Sequence, residues 1–199
     1  MTRLFPALAA VAVLATGCGA SAHHRVAPAA QLLNQAELDA ILAQSDIRTS
    51  HSDAFARVSH TPTACAPTVY YCRPLFLPTE AAFPRGYHRY TEVYHSTGPN
   101  NAGVAQAVIR YGSSVDARAA FDRIVTDLLT TRDRHLSGQF REGDRAAWLW
   151  LTDGPHIPIG PFQTASAIRL AGDTVATATL RAPDTRAVLE IVGRIPVAQ

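Results

Sequence analysis

The chain has no lysine. All 18 of its basic residues other than histidine are arginine, set against 16 acidic residues, for a net charge of +2. So small a charge, with no basic run, gives no grip on a phosphate backbone, and nucleic acid is not an expected partner. Arginine in place of lysine, with abundant alanine, marks GC-rich coding and says nothing of function. No Gly-x-Ser-x-Gly elbow and no glycine-rich phosphate loop occurs, which removes the two commonest short signatures of hydrolases and nucleotide enzymes. Cysteines number only 3. With His60 the nearest further ligand to Cys65 and Cys72 and no second cysteine pair, a zinc site is not expected. After Leu14 no apolar run approaches the roughly 20 residues that a membrane helix needs.

What is present begins at the first residue. Arg3 supplies a short positive region, and Leu4 to Leu14 is apolar but too short to span a bilayer. Ala15-Thr16-Gly17 then precedes Cys18, an order that resembles the bacterial lipobox. Ala15 stands where leucine is usual, and Leu14 lies one step further out. The expectation is a lipoprotein signal peptide over 1–17, acylation (palmitate among the chains) of Cys18, and a tether over 18–30 that carries His23-His24-Arg25. Plain secretion with cleavage after Ala20 or Ala22 is the alternative. Each buried acyl CH₂ contributes about 0.8 kcal/mol, so several chains on one cysteine would hold the protein on the extracytoplasmic face of the cell membrane. In that oxidising compartment Cys65 and Cys72, with Pro67 between them, are expected to form a disulfide worth roughly 2.5 kcal/mol on the chain-entropy model.

Residues 31–199 read as one domain. Asn34 with Glu37 makes a capping box, and Leu38, Ile41 and Leu42 give the following helix an apolar face to about Ser45. From Asp46 to about Arg85 the prolines discourage long elements, with Ile47, Phe55 and Val58 expected to reach the core. Tyr87 to His95 and Val104 to Tyr111 read as a hairpin. A helix follows from a cap at Ser114 to about Arg132, with Phe121, Ile124, Val125, Leu128 and Leu129 at helical spacing. Ala146 to Leu151 is a strand apolar on both faces. Thr164 to Leu170 and Thr174 to Arg181 are strands around Gly172-Asp173, and Pro183 suits the first turn of a closing helix. The order predicts an α+β fold, an antiparallel β-sheet with helices packed against it.

Candidate ligand-binding residues follow from the strands. His88, Tyr90, Glu92 and Tyr94 share one strand face by alternation, and such a face, with carboxylate and imidazole together, binds a metal or a polar ligand when it is not simply half-exposed sheet. Trp148 and Trp150 either line an apolar pocket or fill the core. Arg169, inside a strand, either meets solvent or a salt-bridge partner or faces an anion. Asp133, His135 and Ser137 are too close in sequence to converge as a triad, so no catalytic residue is assigned and no enzyme activity or cofactor is expected.

The order of elements resembles the PknH-like extracellular sensor domains, which occur on a mycobacterial Ser/Thr kinase and as stand-alone actinobacterial lipoproteins. The likeness rests on Leu32-Leu33 with its helix, the Cys65/Cys72 region, Val104 to Ile109 followed by Ser114 to Phe121, and Ala187 to Val192. Members usually carry two disulfides, whereas no cysteine follows Cys72 here. The resemblance implies an α+β domain with a surface cleft for an unidentified ligand and supplies no catalytic residues. The resulting expectation is a non-catalytic envelope lipoprotein that binds a small ligand or an envelope protein. A carrier of lipid or another apolar molecule is the alternative; it would need a large apolar cavity, where a sensor has a filled core and a polar cleft.

Overall fold

Alternation of small and large side chains along the strands decides the architecture. In the strand Arg145–Thr152, Ala146, Trp148 and Trp150 point to one face and Ala147 and Leu149 to the other, and both sets are packed. A strand apolar on both sides needs cover on both sides. In the computed structural model, which describes residues 32–45, 47, 56–62, 64, 77–84, 86–95, 103–152 and 162–197, that cover comes from helices on opposite faces of one sheet.

The sheet has seven strands: β1 (Ala56–Ser59), β2 (Tyr87–His95), β3 (Val104–Tyr111), β4 (Leu136–Glu142), β5 (Arg145–Thr152), β6 (Phe162–Ala171) and β7 (Thr174–Leu180). Their spatial order is β1-β2-β3-β7-β6-β5-β4, and every pairing is antiparallel. Helix α1 (Gln35–Gln44) precedes the sheet, α2 (Ser114–Thr130) joins β3 to β4, and α3 (Thr185–Arg194) closes the chain. α2 therefore carries the chain from mid-sheet across one face to the far edge. The α+β class expected from the sequence is the one observed.

The two faces differ in bulk. Under α2 lie Trp148, Trp150, Tyr90, Ile109 and Ile168, with Phe121 and Leu128 from the helix and Leu77 and Phe83 from the preceding segment. Under α1 and α3 the strands contribute Ala147, Ala165, Ala167, Ala176 and Ala178, against Leu38, Ile41, Val188 and Ile191. Small strand residues facing larger helix residues allow the layers to interdigitate.

Several local expectations are corrected. The cap of α2 is Ser113, whose side chain accepts from Asp116 N, and Ser114 is the first helical residue. α3 is capped by Asp184, which accepts from Ala187 N at 2.9 Å, so Pro183 precedes the cap rather than opening the helix. Val58 is 58% exposed on the edge strand β1 and does not reach the core, whereas Ile47 packs against the α1/α3 cluster. β4 is a strand that the sequence pattern does not announce: its sequence LSGQFRE is almost wholly exposed and carries no apolar alternation. Its turn has a local signal, because Gly143-Asp144 repeats the Gly172-Asp173 dipeptide. Both glycines take positive φ, +54° and +58°, as two-residue hairpin turns require at their first position. The leader, Cys18, the tether, Phe55, Cys65 and Cys72 lie outside the described residues.

Candidate functional site

Register places the charged groups of β1 and β2 side by side. Arg57 pairs with Tyr94 and Ser59 with Glu92, so all four share the face that α2 covers further along the sheet. Tyr90, on the same face, is only 2% exposed, and its hydroxyl donates to Glu92 Oε2 at 2.8 Å. Burial raises the Glu92 carboxyl above its ordinary value, outweighing the Tyr90 hydrogen bond and the nearby Arg57, which both lower it. Burial, reinforced by the Glu92 charge and hydrogen bond and by Tyr87, pushes the Tyr90 hydroxyl far up as well, so it remains a donor.

Arg57, Ser59, Thr61, Pro62, Ala64, Glu92 and Tyr94 line a cleft of about 490 Å³. Its outer rim is held by a short turn after β1, in which Ser59 Oγ donates to Thr61 O at 2.7 Å. Tyr94 is seated on Gly103: a Cβ there would fall 2.2 Å from the tyrosine oxygen, so only glycine leaves the ring in place. Arg57 is exposed and forms no hydrogen bond or ion pair among the described residues.

A second recess, of about 550 Å³, lies on the opposite face. Leu32, Leu33, Val93 and Pro196 give it apolar walls, and Glu37 and His95 are its titratable groups. Behind it runs one continuous hydrogen-bond chain. Gln106 Oε1 accepts from Leu33 N at 3.0 Å, and its Nε2 donates to Leu33 O. Gln106 Nε2 also lies 3.3 Å from His95 Nε2, while His95 Nδ1 lies 3.1 Å from Gln35 Oε1, whose amide nitrogen donates to Asp39 at 2.9 Å. One assignment satisfies every member: a neutral His95 with its proton on Nδ1 and an acceptor at Nε2.

The strand residues singled out from the sequence meet different fates. Tyr90 and Glu92 come together, and Glu92 lines the cleft. His88 is exposed beside Gly112, where a register shift between Tyr87 and Arg89 interrupts the alternation, and it does not line the cleft. Trp148 and Trp150, 0% and 1% exposed, sit in the core under α2. Arg169 reaches the end of α3, donating to Gly193 O at 2.7 Å and Ile195 O at 2.6 Å. His135 Nδ1 meets Asp133 at 2.7 Å, but its Nε2 receives Arg134 Nε at 3.2 Å. Arg57 and Ser59 are cleft residues that sequence reasoning misses, because β1 is four residues long and lies in the proline-rich stretch. The alternation Arg57-Val58-Ser59 is the only signal they leave.

Among the described residues no group of three His, Cys, Asp or Glu side chains is placed to hold a metal, and no helix is long and apolar enough to cross a membrane.

No protein-family model matches the chain, and no curated protein matches it. Among solved structures, it is similar to the extracellular domain of PknH from Mycobacterium tuberculosis. The TM-score is 0.65 at 16% identity, covering 82% of this chain and 90% of that one. At that identity the likeness establishes a shared fold, which is the fold that the sequence resemblance implied.

Proposed function

We propose, with the fold of an extracellular domain as premise, that this chain is a non-catalytic sensor-like domain which binds a small polar ligand or an envelope protein at the cell surface. The observation that carries the reading is the β1/β2 cleft, where an exposed arginine and a half-buried carboxyl face one space. Trp148 and Trp150, almost wholly closed to water, favour a filled core over a lipid carrier. The lipobox-like Ala15-Thr16-Gly17-Cys18 would hold the domain to the membrane through acylated Cys18, and Cys65 with Cys72 would form its disulfide.

Native mass spectrometry of the full chain, purified from the envelope of a related host in detergent, tests the ligand. A water-extractable adduct, lost on Glu92→Gln, is the expected result; a reproducible solvent-extracted apolar molecule would instead establish the carrier. Detergent phase partition tests the anchor. Wild type is expected in the detergent phase and Cys18→Ala in the aqueous phase, and unchanged partition of the variant would mean that Cys18 carries no anchor.

A further inference from the structure

Arg57 and Glu92 are diagonal neighbours on adjacent strands, since Arg57 pairs with Tyr94 and Glu92 lies two residues before it. Diagonal positions on one sheet face stand about 7–8 Å apart, within reach of long side chains. Opposite charges so placed on an exposed edge ordinarily close on one another. Here they make no direct ion pair: Glu92 accepts from Tyr90, and Arg57 acts on it only through its charge from further off. Tyr90 is buried and fixed in the core, so its hydroxyl holds the Glu92 carboxyl toward β2 and away from Arg57. The cleft therefore keeps two opposite charges apart, with Tyr94 on the same face, directly opposite Arg57 and two residues from Glu92 on β2.

Resting on the binding reading above, we infer that the β1/β2 cleft selects a small zwitterion of amino-acid type, its carboxylate on Arg57, its ammonium on Glu92 and its carbon skeleton against the Tyr94 ring. A simple anion meets Arg57 but is repelled by Glu92. A simple cation meets Glu92 but is repelled by Arg57. Only a molecule with both groups satisfies both walls, and the cleft of about 490 Å³ lies within the size range of small-ligand sites. An aromatic face beside the ammonium adds a cation–π contribution.

Isothermal titration of the full chain in detergent with glycine, L-alanine and D-alanine tests this, with acetate and ethylammonium as single-charge controls. Zwitterions are expected to bind about ten-fold or more tightly than either control, the size of one charge-assisted hydrogen bond. Arg57→Gln and Glu92→Gln should each weaken zwitterion binding by a similar factor, and Arg57→Lys should recover part of it. Val115→Ser, at an exposed position on α2, should leave binding unchanged. Far-UV circular dichroism confirms that each variant is folded. Equal binding of the controls, or no binding by any of the three amino acids, overturns the inference. If the envelope adduct of the preceding test is nevertheless seen and lost on Glu92→Gln, the cleft still binds and only the ligand class is wrong.

Discussion

His95 shows how much one proton can carry in this fold. The ring is 5% exposed, and burial lowers its affinity for a proton below the ordinary 6.5, although the Asp39 charge and the Leu33 carbonyl work the other way. A second proton would put an N–H on Nε2, facing the Gln106 amide nitrogen, and would compete with Gln106 for the Leu33 carbonyl. Flipping Gln106 to accept it would break both bonds to Leu33. Because the folded state resists the proton and the unfolded state takes it near pH 6.5, the contribution of His95 is full above that pH and falls as pH drops below it. Glu92, with its raised value, acts in the opposite sense, so a variant is needed to isolate the histidine. His95→Asn should be about 1–3 kcal/mol less stable than wild type at pH 7.5, from the unsatisfied partners it leaves. The gap should narrow by pH 5 in guanidinium melts, and a gap independent of pH would show that His95 does not titrate with folding.

At the scale of elements, Arg169 holds a helix end. Its two terminal nitrogens donate to Gly193 O and Ile195 O, carbonyls at the negative end of α3 that have no partner further along the helix. A cation on a strand beneath that end both caps the carbonyls and pins α3 to the sheet. Arg169→Met should cost about 1–3 kcal/mol in urea unfolding, and Arg169→Lys less. Neither should alter ligand binding in the β1/β2 cleft; a loss of binding with stability intact would return Arg169 to the candidate ligand residues. α1 is fixed in another way, by its own sequence: Asn34 Oδ1 accepts from Glu37 N at 3.1 Å, and Glu37 Oε2 accepts from Asn34 N at 2.8 Å. That reciprocal box is legible in the sequence itself, because it needs only two residues three apart.

For the whole molecule, the sheet is the shared wall of two cores. Neighbouring residues of one strand serve opposite faces, as Trp148 and Ala147 do, so neither core is expected to melt without the other. Leu38 is fully buried on the α1/α3 face, remote in sequence from Trp148 and Trp150 on the α2 face. Leu38→Ala should cost about 2–5 kcal/mol. Tryptophan fluorescence and far-UV circular dichroism should report one common shift of the urea midpoint. Separate midpoints would mean that the faces unfold independently.

Sequence alone determined what depends on neighbours along the chain. The period of Phe121, Ile124, Val125 and Leu128 made α2, runs of strand-favouring residues bounded by turn and loop signals made β2, β3 and β5 to β7, and Gly172-Asp173 made a turn; the observed spans agree to within a few residues. It also brought out the shared face of Tyr90 and Glu92, since strand alternation is local. Tertiary structure decided what depends on register and on which neighbour arrives. β4 is a strand because β5 pairs with it, with no apolar pattern of its own. Trp148 and Trp150 are core because α2 crosses their face, and Arg169 is a cap because α3 ends above it. The cleft exists because the short β1 lies along β2 with Arg57 opposite Tyr94, a pairing between segments thirty-odd residues apart that no local pattern encodes. Binding groups meet only when the chain closes such loops, and the energy of closure comes from a core that the groups themselves do not form.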